Sequence, residues 1–590
     1  MQVIDWLVVL VYLVLSLALG LWLSRRASKN VEEFFLSGRS LPWWLAGTSM
    51  AATTFSIDTP LYVAGVVATR GIAGNWEWWS FGIAHLVLVY VFARLWRRSE
   101  VVTDAELTEL RYGGTTAAWL RGVKAFLFAL PLNCIGIGYA MLAMVKTVDA
   151  LQLWQSLGIE PAEATKLWSV VGVSVFVLIY SGFSGLWGVV TTDFLQFFLA
   201  LAGALVVAIV AVVDLGGMGP LLERAQAATD QDVLSFLPLT WEGWGSGIQW
   251  NEAAGISAST FAAYLGIQWW AFRRSDGGGE FVQRLLASKD EAEAQKAAWW
   301  FNILNYGVRT WPWIVVALAA IALYPDLADP EQGYPLLMLE FLPPILLGVV
   351  VASLIAAFMS TVSTSINWGA SYLTTDLYQR FIRPEAPQAE LVLVGRIASV
   401  LVTGLGAIAA FYSDDVATVF RLVIAIGTGP GAVLILRWFW WRMNGAAELA
   451  AMVSGLIVGW ATSAVEELKI EDFGLRLLVT AGLSAAIWLT VLALTPPESD
   501  ETLDRFYTKV RPPGPGWRRQ RDRTGLAPLG DLRLDLLRVV AGGLLLFGVT
   551  FAIGGFLLWQ SLTGWLSLAI AAIGAMALRS LNRQARRAEG

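Results

Sequence analysis

An all-α integral membrane protein of about fifteen transmembrane helices is the fold class this sequence predicts, and three observations predict it. Apolar residues make up 56% of the 590 and Asp, Glu, Lys and Arg only 15%, whereas a water-facing surface needs roughly a quarter or more charged residues. Apolar runs such as Val189 to Val213, where Asp193 is the sole formal charge, have the roughly 20-residue length that crosses about 30 Å of hydrocarbon as helix. Basic residues, finally, collect in alternate loops.

Runs bounded by charge, Pro and Gly place the helices at 4–24, 43–67, 76–96, 119–147, 166–181, 189–213, 248–272, 297–322, 339–370, 392–412, 416–440, 446–466, 474–495, 534–558 and 562–579. The first begins at Val3 with no basic segment before it and reads as a retained helix, not a cleaved signal. Arg25, Arg26, Lys29 and Arg39 follow it; Arg97, Arg98, Arg111 and Arg121 follow the third span; Arg284 with Lys289, and Arg380 with Arg383, fall in later loops of the same parity. The segment 496–533 adds Arg505, Lys509, Arg511 and Arg518, and the tail ends in Arg586 and Arg587. Loops of the other parity are acidic or neutral, with Glu223, Asp230, Asp232 and Glu242 against one Arg224. The positive-inside rule then puts the amino terminus outside and the carboxyl terminus in the cytoplasm of a bacterial-type inner (plasma) membrane. A formal charge of −5 argues against a nucleic-acid partner and leaves the lipid bilayer as the main surrounding. The one cysteine, Cys134, excludes an intramolecular disulfide and reads as packing.

Several spans are too polar to face lipid. The second holds Ser49, Thr53, Thr54, Ser56, Asp58, Thr59 and Pro60, which predicts an unwound stretch around Phe55 lining a cavity or binding an ion, or else a Pro kink satisfied by neighbouring hydroxyls. In the ninth, Ser360, Ser363 and Thr364 share a helical face at i, i+3 and i+4, so their oxygens converge either on a small hard cation or on a neighbouring helix. Asp193, on the sixth span, is either a functional carboxylate or one bonded to a loop. Glu77 stands within Trp76-Glu77-Trp78-Trp79: an interfacial belt with a wet acid, or rings such as Trp76 stacking on a polar solute whose hydroxyls the acid binds. Arg309 and Arg421, inside apolar runs, meet a substrate, pair with an internal acid or snorkel to an interface.

With these residues in view, the chain resembles the sodium:solute symporter family. Phe34-Phe35-Leu36-Ser37-Gly38-Arg39 running to Trp44 is similar to the family's opening signature, and Thr103 to Tyr112 to its short cytoplasmic helix. Tyr180-Ser181-Gly182-Phe183-Ser184-Gly185 with Thr192-Asp193 resembles the entry to its fifth core helix, and Ala357-Phe358-Met359-Ser360-Thr361 followed by Thr375-Asp376 its eighth. The resemblance spans residues 1 to 460. It implies a five-plus-five inverted-repeat transporter core, with a leading helix in 1–30, repeat units at 40–215 and 245–442, two following helices in 446–495, a cytoplasmic loop at 496–533 and two last helices with a tail in 534–590. It implies one sodium at the carbonyls of Ala52 and Phe55 with Ala357, Ser360 and Thr361, and a second at Asp193, Ser360, Ser363 and Thr364. For the solute it implies Glu77 at the glutamate of sugar carriers, with Thr59 where those carriers have a glutamine.

The function expected is sodium-coupled symport of a small polar organic solute, a sugar or polyol, with an amino acid or organic acid as the alternative. One or two sodium ions serve as coupling ions, and no cofactor is expected. An enzyme is not expected: the lone His85 lies in an apolar run with no evident partner set. A channel would need a continuous pore. The Pro-rich 496–533 loop leaves a sensor or scaffold reading, with a cytoplasmic partner there.

Overall fold

The computed structural model describes all residues except 28–29, 161, 242–246, 414–415 and 590, and the backbone but not the side chains of 21, 23–27, 163, 180–184, 241, 416–420 and 586–589. Lys29 and Glu242, and the side chains of Arg25, Arg26, Arg586, Arg587 and the stretch from Tyr180 to Ser184, therefore lie outside the described residues.

Among those described, eleven helices are long and apolar enough to cross a membrane. The remaining crossings are a shorter apolar helix at Ala164–Ile179 and three interrupted ones, the second, seventh and eleventh, which brings the total to fifteen. The fifth and sixth form one rod, Glu163–Asp214, of 52 residues. At 1.5 Å per residue it would measure about 78 Å, more than twice the hydrocarbon thickness, and it turns at Gly185, whose φ of 56° and ψ of −165° only glycine adopts readily.

The second span is Trp43–Thr53 and Asp58–Arg70, with Thr54 to Ile57 between them outside the helix. The seventh departs from expectation at both ends. Residues 248–250 form a strand, Ile248–Trp250, paired with Leu239–Trp241, and the helix begins at Ala258. It stops at Ala271, leaves Phe272 to Gly279 unwound and resumes as Glu280–Ala287, all eight residues of which are buried. Gly277, Gly278 and Gly279 thus lie in a break inside the protein. Arg284, expected in a cytoplasmic loop, is fully buried. The eleventh span is broken too, into Val416–Gly427 and Gly431–Phe439, and its break pairs with the seventh's: Arg273 N donates to Gly427 O at 2.8 Å and Gly429 N to Ala271 O at 3.0 Å.

The ninth span, Leu346–Ser371 continuing as a π-helical stretch Tyr372–Ile382, packs against the sixth along its length. Its start is fixed by the first span, since Asp5 Oδ1 accepts from Ile345 N at 2.8 Å and Gly348 N at 3.1 Å, meeting two donors that a helix leaves open at its beginning. The last two spans, Leu532–Leu557 and Ser561–Glu589, pair with each other, and the fourteenth also lies on the third and eighth. The segment 496–533 is folded, with a helix Asp500–Val510, and docks on the core. Trp517, buried, donates to Trp438 O at 2.7 Å, and Arg98 donates to Val510 O at 2.8 Å. The arginine of the loop after the third span, Arg111, lies over the Phe506 and Trp517 rings at 5.4 and 5.0 Å. One face of this segment is thus packed against the chain itself.

Candidate functional site

Helix leaves carbonyls without partners where it stops, and inside a membrane protein something else must meet them. At the break in the second span the ninth span supplies hydroxyls. Ser360 Oγ donates to Ala52 O at 3.0 Å while lying 3.0 Å from Ala357 O, and Thr361 Oγ1 donates to Thr53 O at 3.0 Å. Phe55 is held at the same point, its N donating to Ala52 O at 2.9 Å and its ring set 4.6 Å from that of Trp313. Ala52, Phe55, Ala357, Ser360 and Thr361 are thereby brought together from two stretches some three hundred residues apart. The cluster is oxygen from carbonyls and hydroxyls, the donor set of a small hard cation.

The second expected set is differently disposed. Ser363 Oγ turns back to Ser360 O at 3.2 Å. Asp193, fully buried, accepts from Ser49 Oγ at 2.5 Å. Between Asp193 and Thr364 lies the guanidinium of Arg284, 2.6 Å from Thr364 Oγ1, 3.1 Å from Ser49 Oγ and 3.7 Å from Asp193 Oδ2. A protein cation already faces the oxygens expected to hold a second ion, and no periodicity in the sequence signals it.

Beside the first cluster lies a cavity of about 240 Å³, at the small end for ligand pockets. Of the residues expected at the solute, Thr59 and Arg309 line it. Arg309 NH1 donates to Ala51 O at 3.1 Å, and its guanidinium rests 5.2 Å from the Trp313 ring. Rings of Trp78, Trp269, Tyr306 and Phe281 form much of the wall, together with Asp58, Tyr139 and Asn305. Tyr139 OH donates to Asp58 Oδ2. Thr54 Oγ1 donates to Asn305 Oδ1 at 3.0 Å. His85 lines the cavity also, 2.8 Å from Tyr306 OH. Asp58 lines the cavity without having been singled out for it by the sequence; an acid beside Thr59 within a polar, Pro-containing span was the available signal. Tyr139, Asn305 and Tyr306 carried none.

Glu77, Trp76 and Arg421, expected at the solute, are not among the residues lining that cavity. Glu77 is fully buried and held by two arginines, Arg70 at 2.8 Å and Arg421 at 3.3 Å. It is neither a wet acid in a belt nor a free hydrogen-bond acceptor. Arg421 follows the option of pairing with an internal acid. Trp76 donates through its indole to Phe236 O at 2.9 Å and stacks on Phe547 of the fourteenth span.

A second buried ionic group secures the other end. Asp276, in the seventh-span break, accepts from Arg437 at 2.6 Å and from Trp438 Nε1 at 3.0 Å. Arg437 also meets Glu448 at 3.0 Å, and Lys124 lies 3.7 Å from Glu448 and 3.6 Å from Asp104. Burial pushes the Asp104 carboxyl above its ordinary range, with Lys124 acting against it. Arg437 and Trp438 are buried members of this network.

Comparison with known proteins bears on the family and the fold. Residues 34–457 match the family model described as the sodium:solute symporter family. A sodium/glucose cotransporter of Vibrio parahaemolyticus is 26% identical over 478 residues, covering 77% of this chain and 84% of its own. A sodium/myo-inositol cotransporter 2 of Oryctolagus cuniculus is 26% identical over 507 residues, 79% and 71% of the respective chains. Among solved structures, a substrate-bound, outward-open Na+-coupled sialic acid symporter aligns with a TM-score of 0.67 at 20% identity, over 84% of this chain and 99% of its own. The fold is therefore an inverted-repeat transporter core with additional helices.

Proposed function

The chain belongs to the sodium:solute symporter family, and from that premise we propose that the cavity beside the second-span break takes a sugar or polyol and passes it across the membrane with one sodium ion. That the protein is a multi-pass membrane symporter coupling sodium to a small polar solute follows from the family. The solute class, the ion count and the residues are our reading.

One observation carries it. Thr361 lines the cavity and at the same time donates to Thr53 O at the break, so ion and solute share a residue. Sodium at Ala52, Phe55, Ala357, Ser360 and Thr361 would take over the carbonyls that the two hydroxyls now satisfy, turning hydroxyl lone pairs to the ion and fixing the wall that the solute contacts. Coupling of this kind is reciprocal: the factor by which sodium tightens solute is the factor by which solute tightens sodium. Closure around the occupied midplane, then release on the other side, completes the cycle. Flat rings interleaved with hydroxyl, amide and carboxylate groups suit the alternating apolar faces and hydroxyl edges of a sugar or polyol, and the relatives named above are described as carriers of glucose and myo-inositol.

A single sodium is favoured because Arg284 already brings positive charge to Asp193, Ser49 and Thr364. Each elementary charge moved inward across 100 mV supplies about 2.3 kcal/mol, so the count sets the gradient attainable. We place the amino terminus outside and the carboxyl terminus in the cytoplasm, from the basic loops. Arg309 in the cavity wall favours an organic acid as the second reading.

Thermal stability of the purified protein, scanned against sugars, polyols, amino acids and organic acids in sodium and in potassium, tests the solute. A sugar or polyol should stabilise in sodium and much less in potassium. Stabilisation by organic acids alone would replace this reading with the second. For the ion, the reversal potential of solute-coupled current should report one charge per neutral solute; two would mean that Arg284 gives way to an ion.

A further inference from the structure

Where the second, third, eighth, fourteenth and fifteenth spans meet at their basic ends there is a separate cavity of about 670 Å³. Two of those spans lie beyond residue 457, outside the segment matched to the family, so the site is not part of the shared core. Three cations line it: Arg94 of the third span, Lys296 of the eighth and Arg538 of the fourteenth. Among the described residues the one acid in its lining, Glu291, is chelated from outside the cavity by Arg98, at 2.9 and 2.6 Å to its two oxygens. Arg538 is 6% exposed, bonds Asp535 through NH1 at 3.0 Å and has a buried Nε with no partner among the described residues. Lys296, largely exposed, pairs with Glu293 at 2.9 Å, a weak surface contact.

The floor is aromatic. Trp43 meets Trp300 edge to face at 5.7 Å, and Trp299 donates to Tyr90 OH at 2.8 Å. Tryptophan and tyrosine at such a depth mark the headgroup layer. Toward the middle of the membrane the cavity passes Ile303, 43% exposed, and the fourteenth span continues with Val540, 63% exposed, an apolar surface for hydrocarbon. Positive charge at the headgroup level above an apolar flank is the complement of an amphiphile with an anionic head.

We propose that this cavity binds the phosphodiester headgroup of an anionic phospholipid, Arg538 and Arg94 contacting the phosphate and the acyl chains descending past Ile303 and Val540. The lipid would then clamp the two last spans to the third and eighth, whose residues wall the solute cavity.

The test uses the full chain, delipidated in detergent and titrated with phosphatidylglycerol, phosphatidylcholine or inorganic phosphate, with melting temperature and native mass spectrometry as readouts. Phosphatidylglycerol should bind and raise the melting temperature, the other two far less. A variant carrying both Arg94→Gln and Lys296→Gln keeps the Asp535 pair of Arg538 intact and should weaken phosphatidylglycerol about 30-fold, at about a factor of five per basic residue. A second variant, Asp535→Asn with Arg538→Leu, removes that buried pair together and should weaken it as well. Equal binding of phosphatidylcholine, equal stabilisation by inorganic phosphate, or unchanged phosphatidylglycerol affinity in both folded variants would each overturn the proposal.

Discussion

At the break in the second span the carbonyls of Ala52 and Thr53 are met by hydroxyls; in the seventh, the backbone from Phe272 to Gly279 is held by charges and by other backbone. Ser360 and Thr361 serve the first break at 3.0 Å each. At the second, Asp276 is gripped by Arg437 and Trp438, Trp96 Nε1 donates to Asp276 O at 2.7 Å, and Ser275 Oγ donates to Gly431 O at 2.8 Å. Neutral hydrogen bonds contribute about 1 kcal/mol net each, and a sodium ion can replace them without leaving anything charged and unpaired. Removing one side of a buried ion pair costs about 3–5 kcal/mol. The two interruptions are thus held differently: one by neutral hydrogen bonds that the proposed sodium ion would exchange, the other fixed by buried charge.

Breaking the fixed one should produce the largest effect. Arg437→Gln leaves Asp276 and Glu448 buried with no guanidinium, and should cost about 3–5 kcal/mol, read as a collapse of thermal stability in detergent and of the yield of folded protein. Should the variant melt like the parent, the seventh-span break is not held by charge. Gly277→Ala comes next. This glycine has φ of 102°, and a Cβ would lie 2.4 Å from Leu88 Cδ1, so backbone strain and overpacking together predict a loss of about 1–3 kcal/mol. In the second span Ser360→Ala should leave the melting temperature within a few degrees of the parent while raising the sodium concentration for half-maximal stabilisation about tenfold, equivalent to about 1.4 kcal/mol. Unchanged sodium dependence in folded protein would remove Ser360 from the ion site.

How much of this could be read beforehand follows the range of the interactions. The i, i+3, i+4 hydroxyl face of the ninth span is a local property, as is the polar run around Phe55, and both were legible and were found facing each other. The seventh-span break was not, because glycines that permit positive φ look the same in an intramembrane turn as in a surface loop. That ambiguity also misassigned Arg284, counted among loop cations yet buried against Asp193, 91 positions away in the chain. Glu77 shows the same limit. Its aromatic neighbours were visible, but Arg421, which pairs with it 344 residues on, reaches it only through the packing of the two repeat units. The 496–533 segment was read as open because its composition is polar; Trp517 and Phe506, the residues that dock it, are too few to mark a buried face by pattern.

The smallest effect is the most discriminating for the exchangeable break. Thr54 adjoins the proposed ion site without belonging to it: its hydroxyl lies 3.0 Å from Ala51 O and 3.0 Å from Asn305 Oδ1. Thr54→Ala removes a neutral hydrogen bond at the same interruption that Ser360→Ala alters, at a cost of about 1 kcal/mol. If the carbonyls of Ala52 and Phe55 are ligands and the break is otherwise ordinary protein, Thr54→Ala should lower stability slightly and leave half-saturating sodium where it was, the reverse of Ser360→Ala. Were both variants to shift sodium by the same factor, the hydroxyls would be acting only by keeping the helix interrupted, and the ion would have to be bound elsewhere.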